Sequence, residues 1–157
     1  MLSEFFQDAL FAAIAAIGFA AISNPPRRAY LYCAIIAAAG HSARLRPEVV
    51  GLHIIVATAA AALLVGVLAV LFSPVVKAPA ETCLFPSLLP MIPGIYAYRT
   101  VGALVMCLYR SGEECFRHYF YLFASNGLTC AFILLAMVVG ATIPIFLMKK
   151  ISFQATR

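Results

Sequence analysis

The chain has 157 residues, of which 64% are hydrophobic and 11% are charged, and its formal net charge at pH 7 is +5. Soluble domains average about 45–50% apolar and about 25% charged residues, so this composition argues against a soluble globular enzyme, a disordered chain and a nucleic-acid-binding module. The basic residues stand in small groups between apolar runs, as topology signals do in membrane proteins. The sequence therefore predicts an all-α integral membrane protein with one membrane domain over residues 1–157.

Five apolar runs are candidates for membrane-spanning helices, because about 17–25 apolar residues are needed to cross a hydrocarbon core of about 30 Å. They cover residues 5–22, 29–45, 50–72, 83–109 and 119–148. The first run has Glu4 and Asp8 near its start and no basic residue before it, so we expect a retained span rather than a signal peptide. It ends at the Asn-Pro-Pro-Arg-Arg sequence of residues 24–28, where asparagine and proline stop the helix and the arginines mark the cytoplasmic side.

The second run allows two interpretations. It is apolar through Gly40 and then meets His41, Ser42 and Arg44. At about 1.5 Å per residue it falls short of the hydrocarbon core, so it either crosses with snorkelling ends or forms a re-entrant element. The chain then has five or four spans. Five spans with an outside N-terminus place the basic C-terminal tail in the cytoplasm, as the positive-inside rule prefers, so we expect five.

His41 and Arg44 also form a candidate functional pair, because residues three apart on a helix share a face. They could bind an anion together, or His41 could take up a proton that is coupled to transport. We therefore assign them to gating or proton coupling. A polar cap at the end of a short helix is the alternative.

The fourth run carries a dense set of helix breakers, namely Pro86, Pro90, Pro93 and Gly94. Each interior proline removes a backbone N–H and leaves the carbonyl four residues earlier unpaired. In hydrocarbon such carbonyls must find partners or line a wet cavity. The sequence therefore predicts a discontinuous helix. A proline kink whose carbonyls pair with neighbouring helices is the alternative.

The second half of this broken helix supplies the candidate substrate site. If it begins after Gly94, the amides of residues 95–97 are free donors at the positive end of the helix dipole, where secondary transporters hold anionic substrate groups. Arg99 is the only full charge in the run, and we expect it to face a cavity, a carboxylate or a substrate, unless it reaches an interface or pairs structurally. Asn126 in the last run either bonds across helices or touches the solute. The predicted substrate-binding residues are Pro90, Pro93, Gly94, Ile95, Tyr96, Tyr98, Arg99 and Asn126.

Small residues recur at four-residue spacing within the runs, and these stripes are Ala12, Ala16 and Ala20, then Thr58, Ala62 and Gly66, then Ala136 and Gly140. Such stripes let helix backbones approach closely in lipid. We expect them to pack helices within the chain, with packing against another protein as the alternative. A chain this small cannot easily surround a polar pathway alone, so we also expect an oligomer.

The sequence contains no catalytic constellation, no nucleotide-binding loop and no metalloprotease motif. Its five cysteines lack C-x-x-C spacing and its three histidines are scattered, so we expect small buried thiols and no metal or other cofactor. An enzyme is accordingly not expected.

Three parts of the sequence resemble the threonine/serine exporter (ThrE) family, in the half that occurs as small stand-alone subunits. They are the stretch from Gly18-Phe19 to Asn24-x-Pro26-x-Arg28, the Gly40-His41 turn, and Pro90-x-x-Pro93-Gly94-x-x-x-Tyr98. In size and pattern the chain is similar to the small component of a two-subunit succinate exporter. The resemblance implies a multi-pass exporter of amino acids or small carboxylates in the bacterial inner membrane. It also implies an ion gradient as the energy source and a companion polytopic subunit that supplies the other half of the transporter.

We therefore expect a membrane subunit of a secondary exporter for small carboxylate-bearing solutes, with the site at the broken helix. Two alternatives stay open. The small-residue stripes fit equally well a structural or regulatory membrane subunit that transports nothing. The cysteines allow a membrane enzyme or redox carrier.

Overall fold

A computed structural model of the protein describes residues 2–49, 51, 53–110, 112–148 and 150–151, with the side chains of all of these except 2–4 and 45–49. The regular structure in these residues is entirely helical, which confirms the predicted all-α class. The helices are α1 (Leu2–Ser23), α2 (Ala29–Val49), α3 (Ile54–Val76), α4 (Glu81–Leu88), a 3-10 turn (Leu89–Met91), α5 (Gly94–Tyr109) and α6 (Glu113–Leu147).

Three helical segments in the described part of the chain are long and apolar enough to cross a membrane: Phe5–Ser23, Ile54–Val76 and Glu113–Leu147. The broken pair Glu81–Met91 and Gly94–Tyr109 makes a fourth if it is one span, which agrees with the predicted discontinuous helix. Helix α2 does not qualify, because its polar end lowers its hydropathy. The predicted count of five spans is therefore not confirmed, and the structure supports three or four.

The chain forms two compact units. The first comprises Met1–Met91 together with Ala136–Arg157, and the second comprises Ile92–Leu135. In the first unit α2 packs against α1, α3 and α4. Its core consists largely of small side chains, so the helices approach closely without bulky residues between them.

The small-residue stripes lie at helix contacts within the first unit, as predicted. Ala16 and Ala20 of α1 and Ala62 of α3 are fully buried. At the crossing of α3 and α6, a Cβ added to Gly66 would stand 2.5 Å from the Ala141 carbonyl oxygen. A Cβ added to Gly140 would stand 2.6 Å from the Ala59 carbonyl oxygen, so two backbones touch where the glycines lie.

Helix α1 ends as its sequence predicts. Asn24 follows Ser23 with φ 45°, a left-handed conformation that asparagine tolerates better than most residues. The Pro26 carbonyl then accepts the Ala29 N–H at 2.8 Å, which begins α2. Helix α3 ends in the same way at Lys77, whose φ is 57°.

Helix α4 is tied to α2 by polar contacts around Pro86. Because Pro86 has no N–H, the Thr82 carbonyl lacks its usual helical donor, and the Cys33 thiol lies 4.0 Å from that oxygen. The buried Ser87 hydroxyl lies 2.7 Å from the Cys83 carbonyl oxygen and 3.0 Å from that of Cys33. These contacts keep a proline-containing helix packed in the core.

The cysteines follow the prediction in part. Cys33, Cys83 and Cys107 are buried free thiols, as expected. Cys130 is half-buried, and Cys115 is exposed near the start of α6. The exposed position follows from its place in the polar first turns of that helix.

The second unit consists of α5 and the first part of α6. Ala103 and Cys107 are the buried residues of α5. A Cβ added to Gly127 of α6 would stand 3.2 Å from the Thr100 side chain, so the two helices also meet at a glycine. The remaining faces of α5 are largely exposed.

Candidate functional site

The break before α5 is built by Pro93 and Gly94. Pro93 stands at the N-cap of α5 with φ −77° and ψ 63°, and the Gly94 N–H donates to the Ile92 carbonyl at 2.8 Å. The Pro93 carbonyl accepts the N–H groups of Tyr96 at 3.1 Å and Ala97 at 3.2 Å. The prediction that these two amides are free donors is therefore wrong. The helix begins one residue earlier than expected, so they already have an acceptor.

An open groove of about 510 Å³ lies in the second unit between α5 and α6. Its lining residues are Tyr98, Arg99, Gly102, Ala103, Met106, Tyr119, Leu122 and Asn126. The structure thus brings together three predicted substrate-binding residues, namely Arg99, Tyr98 and Asn126. The small residues of α5 leave room beside the Arg99 guanidinium.

The groove has one formal charge among its lining residues, the exposed guanidinium of Arg99. No carboxylate in the described part of the chain lies within 4.0 Å of it. The Asn126 side chain donates through Nδ2 to the Leu122 carbonyl of its own helix at 2.7 Å, so its Oδ1 oxygen remains as the acceptor. Tyr98 is 80% exposed. The groove therefore combines a cation, an amide oxygen and two phenolic hydroxyls with an apolar wall.

The other predicted substrate residues are not among those that line this groove. Pro90 lies half-buried in the 3-10 turn, and Pro93 is buried at the break. Ile95 is 67% exposed. Tyr96 is half-buried, and its carbonyl accepts the Thr100 hydroxyl at 2.7 Å. These residues shape the start of α5, and Arg99 and Asn126 offer the polar groups.

The predicted pair of His41 and Arg44 lies in the first unit, and each side chain has its own partner. His41 Nδ1 is 2.6 Å from Asp8 Oδ2 in α1. Arg44 donates through Nη1 to the Met91 carbonyl at 2.8 Å, at the end of the 3-10 turn. The structure therefore places an acidic partner beside His41 and uses Arg44 to satisfy a backbone carbonyl at the helix break.

The sequence alone does not single out Asp8 or five of the groove residues, namely Gly102, Ala103, Met106, Tyr119 and Leu122. In the sequence Asp8 indicates only that the first run is not a signal peptide, although it stands four residues before Ala12 and so extends the buried stripe of α1. Tyr119 joins the groove opposite Arg99, and nothing in its local sequence distinguishes it from the neighbouring aromatic residues. The four-residue spacing between Asp8 and Ala12 is the one sequence feature that indicates a helix contact at Asp8.

Apolar helices of spanning length, with one pair broken at prolines, define a helical integral membrane protein. Residues 8–147 match the family described as "Threonine/Serine exporter, ThrE", and the chain belongs to this family. An uncharacterized protein of Haemophilus influenzae is 35% identical over 141 residues, which make up 90% of this chain and 46% of the relative. The chain thus spans about half the length of this curated relative. No solved structure matches it.

Proposed function

We propose that the protein is the membrane subunit of a secondary exporter for small carboxylate-bearing solutes, and that the groove beside Arg99 binds the solute. Amino acids such as threonine and serine, or dicarboxylates such as succinate, belong to this class. The family membership supports export. The lone guanidinium in a groove between two helices is the observation that carries the binding site.

The chemistry of the groove suits a carboxylate. A guanidinium offers a planar fork of N–H donors that matches the two oxygens of a carboxylate, and it keeps its charge at any physiological pH. The Asn126 amide oxygen and the tyrosine hydroxyls can accept or donate to a hydroxyl or amino group on the same solute. A volume of about 510 Å³ leaves space for a small solute and water.

We further propose that a companion subunit supplies the other half of the transporter. The match covers 46% of the H. influenzae relative, so more than half of that protein lies outside the matched region. The groove between α5 and α6 is open, and two helices cannot enclose a solute. We place the assembly in the bacterial inner membrane, with the companion polytopic protein covering this groove.

The test is efflux from cells that express the chain with its companion and are loaded with threonine through a threonine-containing dipeptide. A charged hydrogen bond contributes about 1.5–3 kcal/mol, so Arg99→Ala should weaken solute binding about 10- to 100-fold and lower efflux at subsaturating internal threonine. Arg99→Lys should keep part of the activity. Arg110→Ala removes an exposed arginine outside the groove and is the matched control.

Equal amounts of each variant in the membrane fraction make the comparison valid. Parental efflux from Arg99→Ala at every internal concentration would show that the groove is not the binding site. Full efflux from cells that express the companion alone would assign this chain the structural or regulatory role instead.

A further inference from the structure

Asp8 and His41 form a polar contact between α1 and α2. His41 Nδ1 lies 2.6 Å from Asp8 Oδ2, and the two side chains retain 21% and 37% of their exposure. Asp8 is the fourth residue of the apolar segment Phe5–Ser23. The pair is thus partly withdrawn from water, near one end of α1, and still reachable by a proton.

Few other ionisable groups surround this pair among the side chains that the structure describes. Helix α3 and the part of α6 in the first unit carry none as far as Leu147. On α4, Glu81 is exposed and Cys83 contacts the Cys33 thiol. Cys33 itself lies about 12 Å along α2 from His41. Among the side chains that the structure describes, the nearest charge along α2 is Arg44, one turn beyond His41. On α1, Glu4 precedes Asp8 by four residues in the sequence.

The hydrogen bond to Asp8 orients the imidazole. The tautomer that donates from Nδ1 to the carboxylate leaves Nε2 as the nitrogen that can take up a proton. The protonated pair is neutral as a whole, as an imidazolium beside a carboxylate. Loss of the proton from Nε2 leaves one net negative charge between the helices.

We infer that Asp8 and His41 form the proton-binding site of this transporter, with the coupling proton entering and leaving at His41 Nε2. The inference rests on the proposed transport function. The same turn of α2 touches the helix break, since Arg44 donates to the Met91 carbonyl at 2.8 Å and an added Gly40 Cβ would stand 3.5 Å from the Met91 sulfur. The Asp8–His41 contact and the end of the 3-10 turn are therefore held by the same turn of α2.

The first experiment separates proton coupling from solute binding in proteoliposomes that contain the chain and its companion. One assay measures threonine movement driven by an imposed pH gradient, and the other measures threonine exchange at equal pH, which needs no net proton movement. His41→Gln and Asp8→Asn keep the side-chain shape and a hydrogen bond. We expect both variants to lose gradient-driven movement and to keep exchange within about twofold of the parent.

His53→Asn is the control. His53 is exposed and accepts the Ile55 N–H at the start of α3, and asparagine preserves such an N-cap acceptor. This variant should keep both activities. Gradient-driven movement at the parental rate in His41→Gln overturns the inference. The inference is also overturned if the parent protein exchanges threonine but shows no threonine movement driven by the pH gradient. That result leaves the proposed transport function intact.

A second measurement works without transport and without a variant at the pair. The chain has three histidines, so His53→Asn combined with His118→Gln leaves His41 as the only one. Nitrogen NMR of labelled histidine across the physiological pH range should show Nδ1 protonated throughout and Nε2 in both protonation states, as the inference requires. A ring that keeps one protonation state over this range overturns the inference even if no transport is found.

Discussion

A methyl group added at the crossing of α3 and α6 should destabilise the protein, although alanine favours helices more than glycine does. In Gly66→Ala the new methyl would stand 2.5 Å from the Ala141 carbonyl oxygen, about 0.9 Å inside the 3.4 Å at which ordinary contact begins. The obstacle is backbone, so no side-chain rotation relieves it. The two helices must separate.

The size of the effect follows from two opposing contributions. Overpacking of a close-packed interior costs about 1–3 kcal/mol, and a backbone clash belongs at the upper end of that range. The helix propensity of alanine returns about 1 kcal/mol. The net loss is then about 2 kcal/mol, which at about 2–4 °C per kcal/mol for a chain of this size lowers the melting midpoint by about 4–8 °C.

The assay is the loss of the monodisperse size-exclusion peak of detergent-solubilised protein after heating. Gly18→Ala is the matched control, because nothing lies within 4 Å of its added Cβ. It should raise the midpoint by about 2–4 °C, since only the propensity changes. Gly140→Ala should behave like Gly66→Ala, and the double variant should lose less than the sum, because helices that have already separated leave space for the second methyl.

The reasoning is refuted if Gly66→Ala and Gly140→Ala melt at or above the parental midpoint. It is also refuted if Gly18→Ala falls as far as they do, because the effect would then come from glycine loss in general.

Three further predictions concern single side chains. Ser87→Ala removes the buried hydroxyl between two carbonyls and should cost about 1 kcal/mol, whereas Thr142→Ala at a partly exposed position should leave the melting midpoint nearly unchanged. In folded detergent-solubilised protein, a water-soluble maleimide should label Cys115 within minutes and Cys33 only after denaturation, as mass spectrometry of the peptides will show; equal labelling would contradict their exposures. Arg44→Gln should lower the melting midpoint and speed proteolysis within the 3-10 turn, because a charged donor to a backbone carbonyl is lost; a parental digestion pattern would contradict this.

The parts of the structure that local rules control could be predicted from the sequence. Clustered prolines cannot continue one helix, so the break between Met91 and Gly94 followed from Pro90 and Pro93 alone. The stripes around Gly66 and Gly140 mark helix contacts because only small residues allow backbones to touch.

The parts that depend on distant partners could not be predicted. Asp8 and His41 are 33 residues apart, and no local sequence pattern around either residue indicates that the two are in contact. The sequence indicates anion binding or gating as the role of Arg44, because a sequence shows the side chains but not which backbone carbonyl needs a donor. The acceptor is the Met91 carbonyl, and it becomes visible only when the 3-10 turn is placed against α2.

The length of α6 sets the depth of the groove. Its 35 residues extend for about 52 Å, well beyond a hydrocarbon thickness of about 30 Å. About twenty residues, from Leu128 to Leu147, are enough to fill that thickness. Asn126, the aromatic residues and the charged first turns of α6 all precede Leu128 in the chain. If Leu147 marks one edge of the hydrocarbon core, Asn126 stands just beyond the other edge. The groove is then level with the headgroups, where an arginine is tolerated, and a solute of the proposed exporter would reach it directly from water.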